Sequence, residues 1–159
     1  MTAGRPYNIR PTGPSDIRRI EAGMLNWGAD ITLEDTPYHV GLGWLVDPDK
    51  PAAYIGQAAL QRVRAEGVSR KLVGVEIAGG RIEFNATKWP VSHDGQRVGR
   101  VTSAIYSPRL RKNIGYAMVP VALAELGTRL TVSIPEVGDR AATVVPKPFV
   151  DPKKEIPKS

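Results

Sequence analysis

Apolar residues at helical spacing mark two segments in the first 70 residues. The first predicted helix covers residues 14–25, with the Pro-Ser pair at its entry and with Asn26 and Gly28 as stop signals. Its apolar face consists of Ile17, Ile20 and Met24. A helix with one apolar face must pack that face against another part of the protein.

The second predicted helix runs from about Gly56 to Glu66, with Gly56 as its N-cap and Gly67 ending it. Ile55 and Leu60 are spaced to form a hydrophobic staple across its first turn.

Beyond this helix the pattern changes to short runs rich in Val and Ile, which predict about six strands spaced as in barrels or sandwiches. The predicted strands are 71–77, 89–91, 97–103, 114–119, 129–134 and 141–145. Asp94-Gly95 predicts a tight hairpin between the second and third strands, because glycine readily adopts the positive φ that such turns require. The proline-rich tail from residue 146 is predicted to be extended or disordered.

The composition is that of an ordinary globular protein. With 159 residues, of which 42% are hydrophobic and 24% charged, the chain has room for one domain or two small ones. It contains neither an apolar run long enough to span a membrane nor the apolar core of a signal peptide, which predicts a soluble, cytoplasmic protein with no membrane partner. The absence of cysteine and the presence of only two histidines argue against zinc and thiol chemistry, so no metal site is predicted.

An excess of basic residues points to anionic partners. The chain has 22 Lys and Arg against 16 Asp and Glu, a formal net charge of +6. Nucleic acid, polyglutamylated or phosphorylated cofactors and acidic proteins all fit this sign. The basic residues are scattered in ones and twos, so no basic arm is present.

Motifs for common catalytic sites are missing. His93-Asp94 lies at the predicted turn, where two neighbouring polar residues are best explained by solvation. No GxSxG elbow, P-loop or dinucleotide fingerprint occurs in the chain. No catalytic residue is therefore assigned.

Several short motifs in a fixed order do carry a family resemblance. They are Arg19-Ile20-Glu21-Ala22-Gly23, Trp27-Gly28, Asp30, Thr36-Pro37 and Gly41-Leu42-Gly43-Trp44, followed by the hairpin stretch 95–120 and VVPKPFV near the end. In this order the chain resembles the glycine-cleavage T-protein family, the tetrahydrofolate-dependent aminomethyl and methyl transferases and related demethylases. The resemblance covers nearly the whole chain.

The resemblance implies an α+β protein that corresponds to the C-terminal portion of longer family members. Residues 1–69 would be the last part of the folate-binding domain, residues 70–150 a small antiparallel β-barrel domain, and residues 151–159 a tail. The catalytic Asp and the acidic pterin-binding residue of the family have no counterpart in this chain.

The resemblance also implies a set of tetrahydrofolate-binding residues. The family's helix arginine carries over to Arg19, whose guanidinium offers a planar fork of donors to a pterin or carboxylate oxygen, whereas the alternative is an exposed surface charge. Glu21 is a second candidate, with a salt bridge to a neighbouring arginine as its alternative. Trp27 and Trp44 are candidates for stacking on the pterin, although core packing is the favoured interpretation for both. Some family members complete the site with a tail aromatic, in whose place Lys154 would reach the glutamyl carboxylates of folate.

The implied function is part of a one-carbon transferase, in which this chain contributes a wall of the folate site and is inactive alone. Either a missing N-terminal half or a partner subunit is expected, with a homo-oligomer as a further possibility, because Ile17, Ile20 and Met24 would otherwise lie exposed. Which one-carbon donor is used stays open, with a demethylase-like relative as a serious alternative to glycine cleavage.

The competing hypothesis is a basic β-barrel that binds nucleic acid or a partner protein without catalysis. It depends on six cationic and aromatic residues around one hairpin: Arg100, Tyr106, Arg109, Arg111, Lys112 and Tyr116. Such a mixture is common on ordinary surfaces, and this hypothesis leaves the N-terminal motifs unexplained, so nucleic acid is not the favoured partner.

Overall fold

Six antiparallel strands close into a barrel in the second half of the chain. The computed structural model describes residues 6, 13–153 and 155–156. The strands are β1 (Arg70–Ile77), β2 (Trp89–His93), β3 (Gln96–Ser107), β4 (Lys112–Pro120), β5 (Arg129–Ile134) and β6 (Gly138–Val145). Their order around the barrel is β1-β4-β3-β2-β5-β6, and β6 pairs with β1 to close it. The predicted fold class, an α+β chain with a small antiparallel barrel, is confirmed.

The strand pattern and the hairpin are close to those predicted. Every predicted strand is present, although β3 continues to Ser107, four residues beyond the predicted end. Asp94 and Gly95 form the turn between β2 and β3 with φ values of 50° and 77°, as the hairpin prediction required.

The first helix is shorter than its pattern suggested. Helix α1 covers Asp16–Glu21, and the Ser15 hydroxyl accepts a hydrogen bond from the Arg18 amide at its start. It ends because Gly23 adopts a φ of 75°, so that the amides of Gly23 and Met24 donate to the carbonyls of Ile20 and Arg19. The helix therefore ends before the two predicted stop signals, Asn26 and Gly28.

The second helix has the predicted bounds but not the predicted staple. Helix α2 covers Gln57–Glu66, with Gly56 and Gly67 as its caps. Ile55 is fully exposed, so it does not pack on Leu60 and the staple is wrong. Since no residue of α2 is buried, this helix lies on the surface.

The barrel interior forms one apolar core. It takes one face of every strand, including Val75 of β1, Val91 of β2, Val101 of β3, Val119 of β4, Val132 of β5 and Val144 of β6. Trp89 also packs in this core, as a buried side chain at the start of β2. Closure removes exposed strand edges and gives the barrel a core of its own.

The outer face of β1 and β4 is buried as well. Seven consecutive residues of β4 are buried, since alternate side chains point into the barrel and into a second core outside it. Buried members of the outer core are Ile20, Val40, Leu72, Ile114, Tyr116 and Met118. The expectation that Ile20 would lie exposed is therefore wrong, although Met24 does lie exposed.

The start of the tail is fixed to α1. The amides of Phe149 and Val150 both donate to the carbonyl of Glu21 at 3.0 Å, and the Phe149 ring stacks on Tyr116 with centroids 5.9 Å apart. Of the two predicted alternatives for the tail, disorder is thus wrong for residues 146–150, because these contacts continue the outer core.

Close contact between β3 and β4 makes Gly115 sensitive to substitution. A Cβ at this position would lie 2.7 Å from the Cβ of Ala104 and would also overlap the Ser103 carbonyl. We expect Gly115→Ala to lower the free energy of unfolding by about 1–3 kcal/mol, as for overpacked cores. Urea unfolding measures this change.

Gly80→Ala is the matched control, because a Cβ there meets nothing within 4 Å. Its effect should stay within about 0.5 kcal/mol. Equal effects of the two substitutions would contradict the packing argument.

Candidate functional site

A buried carboxylate, that of Asp30, organises the motif residues. Its Oδ1 accepts hydrogen bonds from the hydroxyls of Thr102 and Ser103, both at 2.7 Å. Its Oδ2 accepts from Arg19 Nη1 and from the Asn26 amide, both at 2.9 Å. The side chain is 0% exposed, and these four donors compensate for its loss of solvation.

The turn after α1 places this carboxylate. Gly28 adopts a φ of 83°, and its amide donates to the Ile31 carbonyl at 2.8 Å, while the Asp30 amide donates to the Asn26 carbonyl at 2.9 Å. These bonds fold residues 26–31 back on themselves, so that the Asp30 carboxylate faces both α1 and β3.

Arg19 is almost buried within the same network. Its Nε, Nη1 and Nη2 donate to Asp16 at 2.7 Å, Asp30 at 2.9 Å and Ser103 at 2.9 Å, and its side chain is 14% exposed. The Phe84 ring centroid lies 5.8 Å from the guanidinium carbon. The exposed-charge alternative is therefore wrong. A guanidinium has five N–H groups, so two N–H groups of Arg19 are left after these three bonds.

Glu21, like Arg19, is held by a side chain of strand β3. Its carboxylate accepts a hydrogen bond from the Ser107 hydroxyl, and its side chain is buried. Within the described residues it forms no ion pair, so a salt bridge with Arg18 or Arg19 is not its role in this structure. It also lines a cavity of about 550 Å³ that reaches the exposed side chain of Arg109.

The two candidate tryptophans lie on the surface. Trp27 is 63% exposed and Trp44 is 77% exposed, whereas Trp89 belongs to the barrel core. The core interpretation of Trp27 and Trp44 is therefore wrong, and both indoles are accessible to a ligand. Lys154 lies outside the described residues.

Lys147, which the sequence analysis did not single out, is partly buried next to this network. Its Nζ donates to the Val40 carbonyl at 3.0 Å and lies 5.8 Å from the centroid of the Tyr116 ring. Burial lowers the pKa of Lys147 from its ordinary 10.5 to about 8, against the opposing attraction of Asp30. Only the fold brings these residues together, since Lys147 and Asp30 are far apart in the sequence.

The residues of the nucleic-acid hypothesis do not form one open surface. Tyr116 is completely buried, and its hydroxyl donates to the Ile20 carbonyl at 2.9 Å. Lys112 pairs with Glu76 at 2.9 Å, and Tyr106 lies under the guanidinium of Arg81. Three of the six residues are therefore engaged within the chain.

Two features are absent from the described part of the chain. No helix there is both long and apolar enough to cross a bilayer. No group of three or more His, Cys, Asp or Glu side chains there is arranged to hold a metal ion.

Comparisons with known proteins agree with the motif resemblance. The family model of the glycine cleavage T-protein C-terminal barrel domain matches residues 70–151, and that of the GCVT N-terminal domain matches residues 1–50. An aminomethyltransferase of Synechococcus sp. (strain CC9311) is 44% identical over 137 residues, which cover 86% of this chain and 36% of that protein. The dimethylsulfoniopropionate demethylase DmdA of Ruegeria pomeroyi is 39% identical over 144 residues, which cover 91% of this chain and 38% of that protein.

A solved structure has the same fold. The glycine cleavage system aminomethyltransferase T from Bartonella henselae superposes with a TM-score of 0.76 at 30% identity, covering 85% of this chain and 37% of that one. The chain thus spans a little over a third of the length of the proteins it matches.

Removing the charge of Asp30 should destabilise the protein. Asp30→Asn leaves the guanidinium of Arg19 buried with Asp16 as its remaining acidic partner. We expect the free energy of unfolding to fall by about 3 kcal/mol, as when one member of a buried pair is removed. Chemical denaturation measures the loss.

Asp49→Asn is the control, since Asp49 forms an exposed two-point pair with Arg64. This substitution should change stability little, because exposed pairs are screened by water. A comparable loss in both variants would refute a special role for Asp30.

The environment of Lys147 predicts a pH-dependent stability. Between about pH 8 and its ordinary pKa of 10.5, the unfolded chain keeps a proton on Lys147 that the folded protein releases. Stability therefore gains from this group as the pH rises through that window, by up to about 1.4 kcal/mol per pH unit. Urea unfolding at pH 8.0 and 9.5 should reveal this gain in the native sequence and its absence in Lys147→Met.

Lys71→Met provides the control, because Lys71 is exposed on β1 and should leave the gain intact. If Lys147→Met kept the same pH dependence as the native sequence, the buried ammonium would not be its cause.

Proposed function

The chain belongs to the glycine cleavage T-protein family, and from this we propose that it forms the barrel-bearing part of a tetrahydrofolate-dependent aminomethyl or methyl transferase. The observation that carries the proposal is the joining of the family motifs in one buried network. Arg19 and Asp30 from the N-terminal motifs meet Thr102 and Ser103 of the barrel. The N-terminal motifs and the barrel thus form one wall, as expected if both contribute to one site.

The accessible residues fit a flat ligand with acidic groups. Trp27 and Trp44 are exposed to solvent, and Arg19, whose side chain is 14% exposed, has two N–H groups left after its three bonds within the chain. Aromatic faces and guanidinium groups are suited to a pterin ring and to carboxylates. When bound, tetrahydrofolate supplies the nitrogen that accepts the one-carbon unit. We assign binding and orientation to this chain and no acid or base to it.

A further protein segment is part of the proposal. Exposed apolar side chains are concentrated between residues 24 and 55: Met24, Trp27, Leu33, Trp44, Leu45, Tyr54 and Ile55. The matched proteins are more than twice as long as this chain. The part of them that has no match in this chain is therefore the natural cover for these exposed apolar side chains. We also propose that residues 1–69 and 70–150 belong to two different domains and that the protein is cytoplasmic.

The one-carbon donor is proposed only as a class. The aminomethyltransferase of Synechococcus sp. (strain WH7803) is 42% identical and the Ruegeria demethylase is 39% identical, so similarity of this region does not separate an aminomethyl from a methyl donor. The substrate-binding residues that would decide between them are not assigned to this chain.

Reconstitution tests the function. The chain alone should not turn over glycine, dimethylsulfoniopropionate or aryl methyl ethers with tetrahydrofolate. Mixed with the part of the Synechococcus aminomethyltransferase that does not match this chain, the chain should restore transfer of the one-carbon unit to tetrahydrofolate. Chromatography of the folate products measures this transfer. Turnover by the chain alone would overturn the assignment of the chemistry to a separate segment.

The role of Arg19 is tested by comparing affinity with stability. Arg19→Lys keeps the positive charge but loses the planar set of N–H donors of the guanidinium. The free energy of tetrahydrofolate binding should therefore weaken by about 1–3 kcal/mol, measured by calorimetry. Ser103→Ala is the matched control, because it removes one partner of Arg19 and leaves the guanidinium in place. Unchanged affinity in Arg19→Lys, together with lowered stability in both variants, would restrict Arg19 to a structural role.

A further inference from the structure

The cavity that Glu21 lines offers a place for a ligand apart from the Asp30 network. Its volume is about 550 Å³, within the usual range of small-molecule sites. It lies between α1, the turn that joins β3 to β4, and the start of the tail. The apolar residues of its wall include Ile17, Pro108, Pro148 and Val150. A cavity with such a wall is suited to a ligand with an apolar body.

The carboxylate of Glu21 has one oxygen available to a ligand in this cavity. Its Oε1 accepts a hydrogen bond from the Ser107 hydroxyl, and the residue is only 8% exposed. Its Oε2 accepts no hydrogen bond from the described residues, and it is not among the fully enclosed atoms that lack a partner. This oxygen therefore keeps contact with the cavity. A nearly buried carboxylate with one unpaired oxygen favours a ligand that donates N–H groups, above all an ammonium.

Asp151, the other acidic residue of the lining, is already engaged by the tail. Its Oδ1 and Oδ2 accept hydrogen bonds from the amides of Glu155 and Ile156, at 2.7 and 3.1 Å. These bonds fold the tail back at the wall of the cavity, to which Ile156 also contributes. Of the two carboxylates in the lining, that of Glu21 is therefore the one left for a ligand.

Two arginines bring positive charge to the same cavity. Arg18 precedes Glu21 by three residues and so lies on the same side of α1, while Arg109 follows Ser107 by two residues in the turn after β3. Both arginines are exposed and line the cavity. In the part of the chain that the structure describes, neither guanidinium forms an ion pair with a carboxylate. Two guanidinium groups without acidic partners are suited to a ligand carboxylate.

The arrangement of these charges selects among classes of ligand. An aliphatic amine would pair with Glu21 but would be repelled by the two arginines, and a fatty acid would pair with the arginines but leave the Glu21 oxygen without a partner. A zwitterion satisfies both charges at once. An α-amino acid carries an ammonium and a carboxylate on one carbon, and the apolar wall favours a side chain such as that of leucine.

We propose that this cavity binds a free α-amino acid with an apolar side chain, held through its ammonium by Glu21 and through its carboxylate by Arg18 and Arg109. The inference is independent of the proposed function, since neither the folate nor the one-carbon donor enters it. Because α1, the β3–β4 turn and the tail all line the cavity, a bound amino acid would hold these three segments together and stabilise the folded chain.

Calorimetry on the whole chain with four probes tests this site. The probes are L-leucine, leucinamide, which lacks the carboxylate, isocaproate, which lacks the ammonium, and glycine, which lacks the apolar side chain. We expect leucine to bind, and each of the other three to bind about tenfold more weakly, because each loses one of the three contacts. Leucine should also raise the melting temperature of the chain.

Substitutions in the lining should change these preferences one at a time. Arg18→Gln and Arg109→Gln should each reduce the preference for leucine over leucinamide by about threefold to tenfold. Glu21→Gln keeps an acceptor for the Ser107 hydroxyl but loses the charge, so it should remove the preference for leucine over isocaproate. Arg111→Gln is the matched control, because Arg111 is exposed in the same turn as Arg109 but lies outside the cavity lining. Thermal unfolding without ligand checks that each variant folds.

Absence of leucine binding up to roughly 1 mM would overturn the inference. Binding of leucinamide or isocaproate as tightly as leucine would do the same, and this comparison uses the native sequence and does not depend on the folding of a variant. An equal change of preference in Arg111→Gln would assign the effect to overall charge and not to the cavity. Displacement of leucine by tetrahydrofolate would assign the cavity to the cofactor, which overturns this inference and leaves the proposed function in place.

Discussion

The carboxylate of Asp30 joins three chain segments that form the proposed site. It is fully buried, and its four hydrogen-bond donors come from α1, from the turn that follows, and from β3 of the barrel. A buried charge is tolerated only when its polar partners are all in place, so this one group fixes the relative positions of three chain segments. The position of Arg19 and the direction of the Trp27 turn both follow from it.

A second constraint is that two barrel strands are buried on both faces. The outer faces of β1 and β4 need cover, and residues 20 and 40 supply part of it together with the Phe149 side chain. The segment before residue 70 and the barrel therefore share one apolar core, even though the family models assign them to different domains. Loss of this segment would expose Leu72 and Ile114 as well as Tyr116.

The Asp30 network and the surface around it have complementary roles. Arg19, Asp30 and Ser103 are largely committed to one another, which gives the wall a fixed geometry. The exposed indoles of Trp27 and Trp44 have no such commitments within the described chain. Rigid support behind accessible binding groups is the arrangement that lets a protein orient a ligand without reorganising on binding.

The sequence by itself determined the strands, the hairpin at Asp94 and the family, because strand alternation, turn chemistry and motif order are local properties that neighbouring residues specify. The choice of a barrel over a sandwich came from the family resemblance, and the closure of β6 on β1 is a property of the tertiary structure. It also identified Arg19 and Glu21, but not what they contact, since their partners Ser103 and Ser107 lie more than 80 residues away. The size of the two aromatic side chains and their position beside glycine favour the core for Trp27 and Trp44, whereas burial depends on which segments cover a side chain. Only the tertiary structure could place Lys147 beside Tyr116, because such contacts arise from strand register and chain closure and leave no local pattern in the sequence.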